Sequence, residues 1–257
     1  MVKSLVKLKI TDISDFDKKK NLELPNYLTN QLAEFVGIHI GDGHMSFRKD
    51  KGMYIFRLCG HLIKDKLYYD KFLTPLLKKL FNLTLKPKDL RNGTCGYHFS
   101  SKGLFIFLTS NFCLPIGRKN PSIRIPKIIW NDKEFLISCL RGIIDTDFSI
   151  SFDDTYPELG GWFATEKLVK DLERAFKLLK FDVRVRYNAG YLDKRTGKFY
   201  NRHHIRLRGK LNMERWHKII GTHHPVLNTK YTYWRKGITL KDRDIIINPK
   251  IIKIAPN

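Results

Sequence analysis

Two stretches of the chain set an aspartate at the same point of the same apolar pattern. FVGIHIGDG (Phe35 to Gly43) and LRGIIDTDF (Leu140 to Phe148) each carry glycine third and an acid eighth, Asp42 and Asp147. Gly37 and Gly41 stand four residues apart, and Gly142 with Thr146 takes the matching places. On helices this spacing clears one face, so two such helices can approach closer than the roughly 8–10 Å that larger side chains impose. If they run parallel and touch along that face, the two carboxylates emerge side by side at the helix ends. Two such acids repel until hard divalent cations turn them into an oxygen-ligand site. At a phosphodiester, such a site polarises the phosphoryl oxygen, lowers the pKa of a bound water and stabilises the leaving oxygen. The chemistry implied is metal-dependent phosphodiester hydrolysis.

Composition agrees with a polyanionic substrate. The 257 residues hold 48 Lys and Arg against 25 Asp and Glu, a formal net charge of +23, spread along the whole length. A folded surface this basic favours nucleic acid, because neutralising phosphates releases condensed counterions. With 42% hydrophobic and 12% aromatic residues, the chain can bury a core. The chain has no long basic amphipathic stretch and no apolar run near the ~18 residues of a membrane span, so no membrane partner is expected. The four cysteines, Cys59, Cys95, Cys113 and Cys139, form no CxxC pair, which argues against structural zinc. The adjacent pairs His203-His204 and His223-His224 chelate poorly, since neighbours on a strand point to opposite faces. The lysine-rich start MVKSLVKLKI is no signal peptide, so an intracellular location is expected, in a prokaryotic cytoplasm or an organelle.

Around each motif the hydrophobic period predicts the same series of elements: helix, two strands, helix, two strands, helix. Thr29 or Asn30 caps a helix with Leu32, Phe35, Val36 and Ile40 on one face; Asn131 with Glu134 resembles a capping box for the second. The period then alternates, Met45 and Phe47 against Ser46 and Arg48, and Ile150 and Phe152 against Ser151 and Asp153. Further strands are expected at Tyr54 to His61, Leu83 to Lys88 and Tyr97 to Ser101, and at Trp162 to Thr165, Val183 to Asn188 and His204 to Gly209. Helices are expected at Asp65 to Phe81, kinked at Pro75 or restarted at Thr74, at Gly103 to Phe112, at Glu166 to Lys180 and at Asn212 to Ile220. The division expected is an N-terminal extension (1–25), a first half (26–114), a basic proline-punctuated linker (115–130), a second half (131–237) and a tail (238–257).

These two motifs resemble the signatures of the single-chain LAGLIDADG homing endonucleases, and the elements around them resemble that family's tandem αββαββα fold. The resemblance covers about Tyr27 to Gly237. It implies an α+β protein in which two antiparallel sheets form a pseudo-twofold saddle with two close-packed central helices. It also implies Mg²⁺ or Mn²⁺, two or more ions, at Asp42 and Asp147, with the backbone carbonyls of Gly41 and Thr146 assisting. A basic residue is implied near each centre; Lys119 and Lys230 hold corresponding places. His61, at a strand end, takes a position where the family often touches solvent network or DNA. His39 at the fifth position, Ile40 at the sixth against Asp145, and Phe148 at the last depart from the pattern, and none touches the eighth-position acids.

With Phe47, Tyr54, Val183, Val185, Ile205 and Leu207 turned to the core, the opposite sheet face carries Ser46, Arg48, Arg57, Ser151, Asp153, Arg184, Arg186, Arg206 and Arg208. Arginine forks and short polar side chains suit major-groove readout. Lys194 and Arg195, in the expected hairpin loop Asp193 to Arg202, suit phosphates. The function expected is a monomeric, intron-encoded or free-standing endonuclease that cuts both strands of a long asymmetric DNA site and leaves short 3′ overhangs. The alternative is a non-cleaving DNA-binding regulator or an intron RNA maturase on the same fold, with intron RNA as a further partner. Both acids argue for cleavage, since a mere binder has no need of two repelling carboxylates.

Overall fold

Helix α2 (Asn30–Asp42) starts where the Thr29 hydroxyl accepts from the Leu32 amide at 3.1 Å, and it buries nearly every side chain from Leu32 to Ile40. In the computed structural model, residues 5–10, 12–119, 123–247 and 249–252 are described; parts of the expected extension, linker and tail lie outside them. The chain divides into two compact units: Met1–Arg118 with Pro126–Ile143, and Lys119–Ile125 with Ile144–Asn257.

In the first unit α1 (Asp15–Lys18) precedes α2, then β1 (Gly43–Arg48), β2 (Met53–His61), α3 (Lys66–Tyr68), α4 (Thr74–Phe81), β3 (Lys88–Asp89), β4 (Thr94–Ser100) and α5 (Lys102–Phe112). Its antiparallel sheet has the order β1-β2-β4-β3. A 3₁₀ turn, Lys127–Asn131, leads into α6 (Lys133–Asp147), which crosses from the first unit to the second. The second unit continues with β5 (Phe148–Asp153), β6 (Tyr156–Phe163), α7 (Glu166–Leu178), β7 (Val183–Arg186), β8 (Tyr191–Asp193), β9 (Lys198–Tyr200), β10 (His203–Arg208), α8 (Lys210–Ile219), α9 (Pro225–Trp234) and α10 (Asp242–Ile247). Its four-stranded sheet runs β5-β6-β10-β7, the same order as the first, while β8 and β9 pair only with each other. The αββαββα series therefore occurs twice, in the α+β class with two antiparallel sheets.

The small residues of the motifs act as their spacing predicts. A Cβ on Gly37 would lie 2.0 Å from the Cys139 carbonyl oxygen, and one on Gly142 would lie 2.2 Å from that of Glu34. Within the first unit α2 and α6 thus pack backbone to backbone, with Ile38, Cys139, Leu140 and Ile143 fully buried beside the contact. Arg141 pairs with the buried Glu34 carboxylate at 3.2 Å.

Several boundaries differ from expectation. The cap of α6 is Asp132, whose carboxylate accepts from the Glu134 amide at 2.6 Å; Asn131 belongs to the preceding turn. Strand β6 starts six residues before Trp162, and β3 is only two residues long. Helix α9 was not foreseen, because its apolar residues Val226, Leu227 and Trp234 follow a histidine pair that reads as loop. Pro75 does not make Thr74 a cap, since Leu73 and Thr74 are both already helical. It sits just after a π-helical turn, Tyr69–Leu73, in which the Tyr69 carbonyl accepts from the Thr74 amide, the Thr74 hydroxyl at 2.9 Å and the Tyr97 hydroxyl at 3.1 Å. Proline has no amide to donate and its ring crowds the preceding turn, so the widened turn relieves the strain there.

Two stretches expected to be peripheral are built into the units. In the N-terminal extension Leu8 and Leu22 are buried, and the Asp17 carboxylate accepts from the Gly103 amide at 2.8 Å, at the positive end of α5. In the linker the Arg124 guanidinium grips Asp171 of α7 at 2.8 and 3.1 Å, the Ile125 amide donates to the same carboxylate at 3.0 Å, and Ile123 and Ile125 are buried. Of the expected core-facing strand residues, Ile205 and Leu207 are buried, whereas Phe47 is 38% exposed and Tyr54, Val183 and Val185 are half-buried at sheet margins.

Candidate metal centres and nucleic-acid face

Asp42 ends α2 and leads directly into β1. The next residue must be glycine: a Cβ on Gly43 would stand 2.1 Å from the His39 imidazole, which is itself buried against Phe56 at 5.1 Å. The departure at the fifth motif position is thus a core histidine that helps set the turn. Tyr69, wholly buried, donates its hydroxyl to Asp42 Oδ2 at 2.9 Å. Burial and the Asp42 carboxylate both hold the Tyr69 phenol well above its ordinary pKa, so it stays a donor. Cys59, on β2, is pushed up by burial and by the same carboxylate. Sequence reasoning missed Tyr69; the π-helical turn that aims it has no signature beyond the proline that follows.

Asp147 ends α6 and leads into β5. It keeps some accessible surface, yet protein surrounds the carboxyl on most sides, and that desolvation raises it to about 6, with the Lys119 ammonium acting in the opposite sense. β6 reaches this helix end because position 161 is glycine, whose added Cβ would sit 2.9 Å from the Asp147 carbonyl oxygen. The sixth-position acid, Asp145, is buried and structural: its carboxylate accepts from the Thr222 hydroxyl and from the His223 amide at 2.9 Å, holding the loop before α9.

Each helix end therefore offers a carboxylate, Asp42 or Asp147, and beside it a main-chain carbonyl, Gly41 or Thr146. These are hard oxygen donors of the kind Mg²⁺ and Mn²⁺ take, and an anionic carboxylate penalised by burial gains most from a cation. The donor set fits such an ion.

The two expected lysines part ways. Lys119 acts electrostatically on Asp147. Lys230 is buried at 2% exposure, donates to the Ile150 carbonyl at 2.7 Å and pairs with Asp242, joining β5, α9 and α10.

In the second unit Ser151, Asp153, Arg184, Arg186, Arg206 and Arg208 all lie on one sheet face by register. Arg184 pairs across with Arg206, and Arg208 with Glu158, which faces Ser151. Glu158, unremarked in the sequence, holds Arg206 and Arg208 at 3.3 Å, and Asp153 takes Arg208 at 3.1 Å. The carboxylates fix both guanidinium planes before any ligand arrives. Beside them Trp162, half exposed, stacks on His204 at 4.2 Å and 3°. Starting β6 at its true first residue would have assigned Trp162 to this face by alternation.

In the first unit His44, Arg57 and His98 form a row across β1, β2 and β4, with Ser46 and Arg48 further along β1 and His61 at the end of β2. Arg48 pairs with Asp50 at 2.9 Å. Burial and Arg57 depress the His98 pKa. His61 is exposed, and its Nδ1 accepts from the Ile63 amide at 3.1 Å, closing a turn. Lys194 and Arg195 lie at the exposed tip of the β8–β9 hairpin.

Two antiparallel sheets of matching strand order, each entered from a helix that ends in an acid, define the LAGLIDADG endonuclease fold. No family model matches the chain. Among solved structures, the homing endonuclease I-WcaI bound to its DNA recognition sequence is similar over 91% of this chain and 97% of its own, at 13% identity and a TM-score of 0.53. I-DmoI in complex with DNA and Ca matches over 80% of this chain and 97% of its own, at 14% identity and a TM-score of 0.52. A variant of I-DmoI with its target DNA nicked in one strand and Mn present matches at 13% identity and the same TM-score, over 75% and 95%. At these identities the likeness is one of fold. In sequence, 98 residues are 30% identical to the uncharacterized protein MJ0398 of Methanocaldococcus jannaschii, covering 37% of this chain and 34% of that protein, so the match spans about a third of the relative. Among the described residues no helix is long and apolar enough to cross a membrane.

Proposed function

We propose that the chain is a site-specific endonuclease that binds a long asymmetric DNA duplex and cuts both strands with Mg²⁺ or Mn²⁺, leaving short 3′ overhangs and acting as a monomer. The observation that carries this reading is that each polar sheet face begins at an acid: Asp42 runs into β1 and Asp147 into β5. A duplex lying on such a face brings its phosphates to the helix ends. I-WcaI is bound to its DNA recognition sequence, and I-DmoI is in complex with DNA and Ca or Mn, which supports the same substrate and a divalent ion here.

In the reaction Asp42 and Asp147 hold the ions, with the carbonyls of Gly41 and Thr146 assisting. A bound ion supplies phosphoryl polarisation and an acidified water. Tyr69 fixes the Asp42 carboxylate in one orientation through its donated hydrogen bond. Lys119 stabilises charge growing on the phosphate and favours the anionic form of Asp147. Arg184, Arg186, Arg206 and Arg208 read base edges, with Ser151 and Asp153; Ser46, Arg48, Arg57 and His61 serve on the first sheet, and Lys194 and Arg195 contact phosphates. Lys230 supports β5 through the Ile150 carbonyl and takes no part in the chemistry.

The test is cleavage of a plasmid library with and without Mg²⁺. Wild type cuts a defined site, and the Asp42→Asn/Asp147→Asn double variant binds that site without cutting. If wild type binds duplex yet cuts no member with either Mg²⁺ or Mn²⁺, the protein is a non-cleaving binder and the nuclease reading fails.

A further inference from the structure

Between β7 and β10 the chain leaves the four-stranded sheet and forms a separate ribbon. Ala189 and Arg202 close its base by a backbone hydrogen bond of 2.8 Å, and Gly197, at φ +66°, turns its tip with its amide on the Asp193 carbonyl. A two-stranded ribbon is marginal in water unless one face is covered. This one is apolar on both faces and covered on neither. Tyr191 pairs across with Tyr200, ring centroids 5.6 Å apart, and on the opposite face Leu192 pairs with Phe199. Leu192 is 59% exposed and Phe199 66%.

The ring of Phe199 is held in place from one side. A Cβ on Gly190 would stand 2.1 Å from its Cζ, so the ring rests on bare backbone and presents its other side outward. Round these side chains stand Lys194, Arg195, Lys198 and Arg202 against the one acid Asp193, with the Arg202 guanidinium 5.1 Å from the Tyr191 ring centroid. Apolar rings ringed by cations fit a partner that offers both π-faces and phosphates. Duplex DNA hides its base faces, so such rings reach them only by opening a base step, as wedge residues do in proteins that kink DNA. The chain enters the ribbon just after Arg186 of β7 and leaves it just before His203 of β10, so the ribbon stands near the end of the face that carries Arg184, Arg186 and Arg206.

We infer that the β8–β9 ribbon is a wedge: Leu192 and Phe199 enter a base step of the duplex bound along the second sheet, and Lys194, Arg195 and Lys198 hold the flanking phosphates. This rests on the DNA-binding part of the proposed function and is independent of cleavage.

The test selects a bound duplex from a random library with full-length protein in Ca²⁺, then sets 2-aminopurine at each flanking step in turn. Wild type raises the fluorescence several-fold at one step. Leu192→Ser/Phe199→Ser abolishes that rise and weakens binding by about 5- to 150-fold, the range of one lost base–aromatic contact. Its melting temperature stays that of wild type, because both side chains are exposed. Phe199→Leu keeps most of the rise, whereas Gly190→Ala, which unseats the ring, reduces it. A duplex bound with no fluorescent step, or a serine variant indistinguishable from wild type, overturns the wedge and leaves the DNA reading intact. Failure to select any duplex overturns both.

Discussion

Gly142→Ala separates close packing from ordinary helix energetics, because the two give opposite signs. In an exposed helix, alanine in place of glycine stabilises by about 1 kcal/mol. Here the new methyl would lie 2.2 Å from the Glu34 carbonyl oxygen, 2.6 Å from the Ile38 nitrogen and 3.0 Å from the Gly37 carbonyl carbon. All three are backbone atoms of α2, so no rotamer change relieves the clash. The helices must part by about 1 Å to restore normal contact, which loosens buried neighbours along the seam. Overpacking costs about 1–3 kcal/mol in tolerant cores, and a rigid backbone wall puts this case at or above the upper end. After alanine's propensity is credited, the net loss is about 2 kcal/mol, a fall in Tm of roughly 4–8 °C for a chain of this size. Calorimetry in metal-free buffer measures it, so that cation binding cannot mask the loss. Gly37→Ala meets the Cys139 carbonyl oxygen at 2.0 Å and falls similarly. The double variant loses less than the two single losses together, because one separation of the helices serves both methyls. A Tm for Gly142→Ala equal to or above wild type would refute the packing argument and with it the reason for small residues in the motif.

Asp147 links stability to pH. Its carboxyl is raised to about 6 from an unfolded value of 3.8, so the folded state binds the extra proton: the stability it contributes is full below pH 3.8 and is lost as pH rises through 6. Asp147→Asn therefore raises Tm relative to wild type at pH 7.5 by more than at pH 4.5, an effect of about 1–3 kcal/mol, read by metal-free melts at both values. Saturating Mg²⁺ closes that gap for wild type alone; an identical Mg²⁺ response in the variant would count against Asp147 as a ligand. Tyr69→Phe removes one hydrogen bond to a carboxylate, costing about 1.5–3 kcal/mol, and slows cleavage while duplex affinity in Ca²⁺ holds within about twofold; unchanged cleavage would disprove the orienting role. The two lysines give contrasting phenotypes. Lys230→Met loses about 2 kcal/mol or more in a urea titration, since the Ile150 carbonyl is left unsatisfied, whereas Lys119→Met keeps its midpoint and loses cleavage rate. The reverse outcome would exchange their roles.

What the sequence reveals is what depends on neighbours along the chain. Periodicity located α2, α6 and α7 because the apolar face of a helix recurs every few residues, and it assigned Ser151 and Arg206 to one sheet face because strands alternate. Where local signals compete, it erred: both Asn131 and Asp132 can cap α6, and only the backbone geometry selects Asp132. Pro75 announces a break without saying that a π-helical turn absorbs it and aims Tyr69 at Asp42.

The sequence by itself determined the twofold series of elements, the small-residue seam, the position of both acids and the basic surface, all of which follow from residue type and spacing. Only the tertiary structure decided what each charged group faces. Lys119 acts on Asp147 while Lys230 serves a strand and a C-terminal helix; Asp145 holds a loop; Glu158 fixes two arginines; Leu192 and Phe199 stand uncovered on a ribbon. The reason is physical. A side chain's local propensity is a property of a few consecutive residues, but its electrostatic environment and burial are set by groups that folding brings from far along the chain.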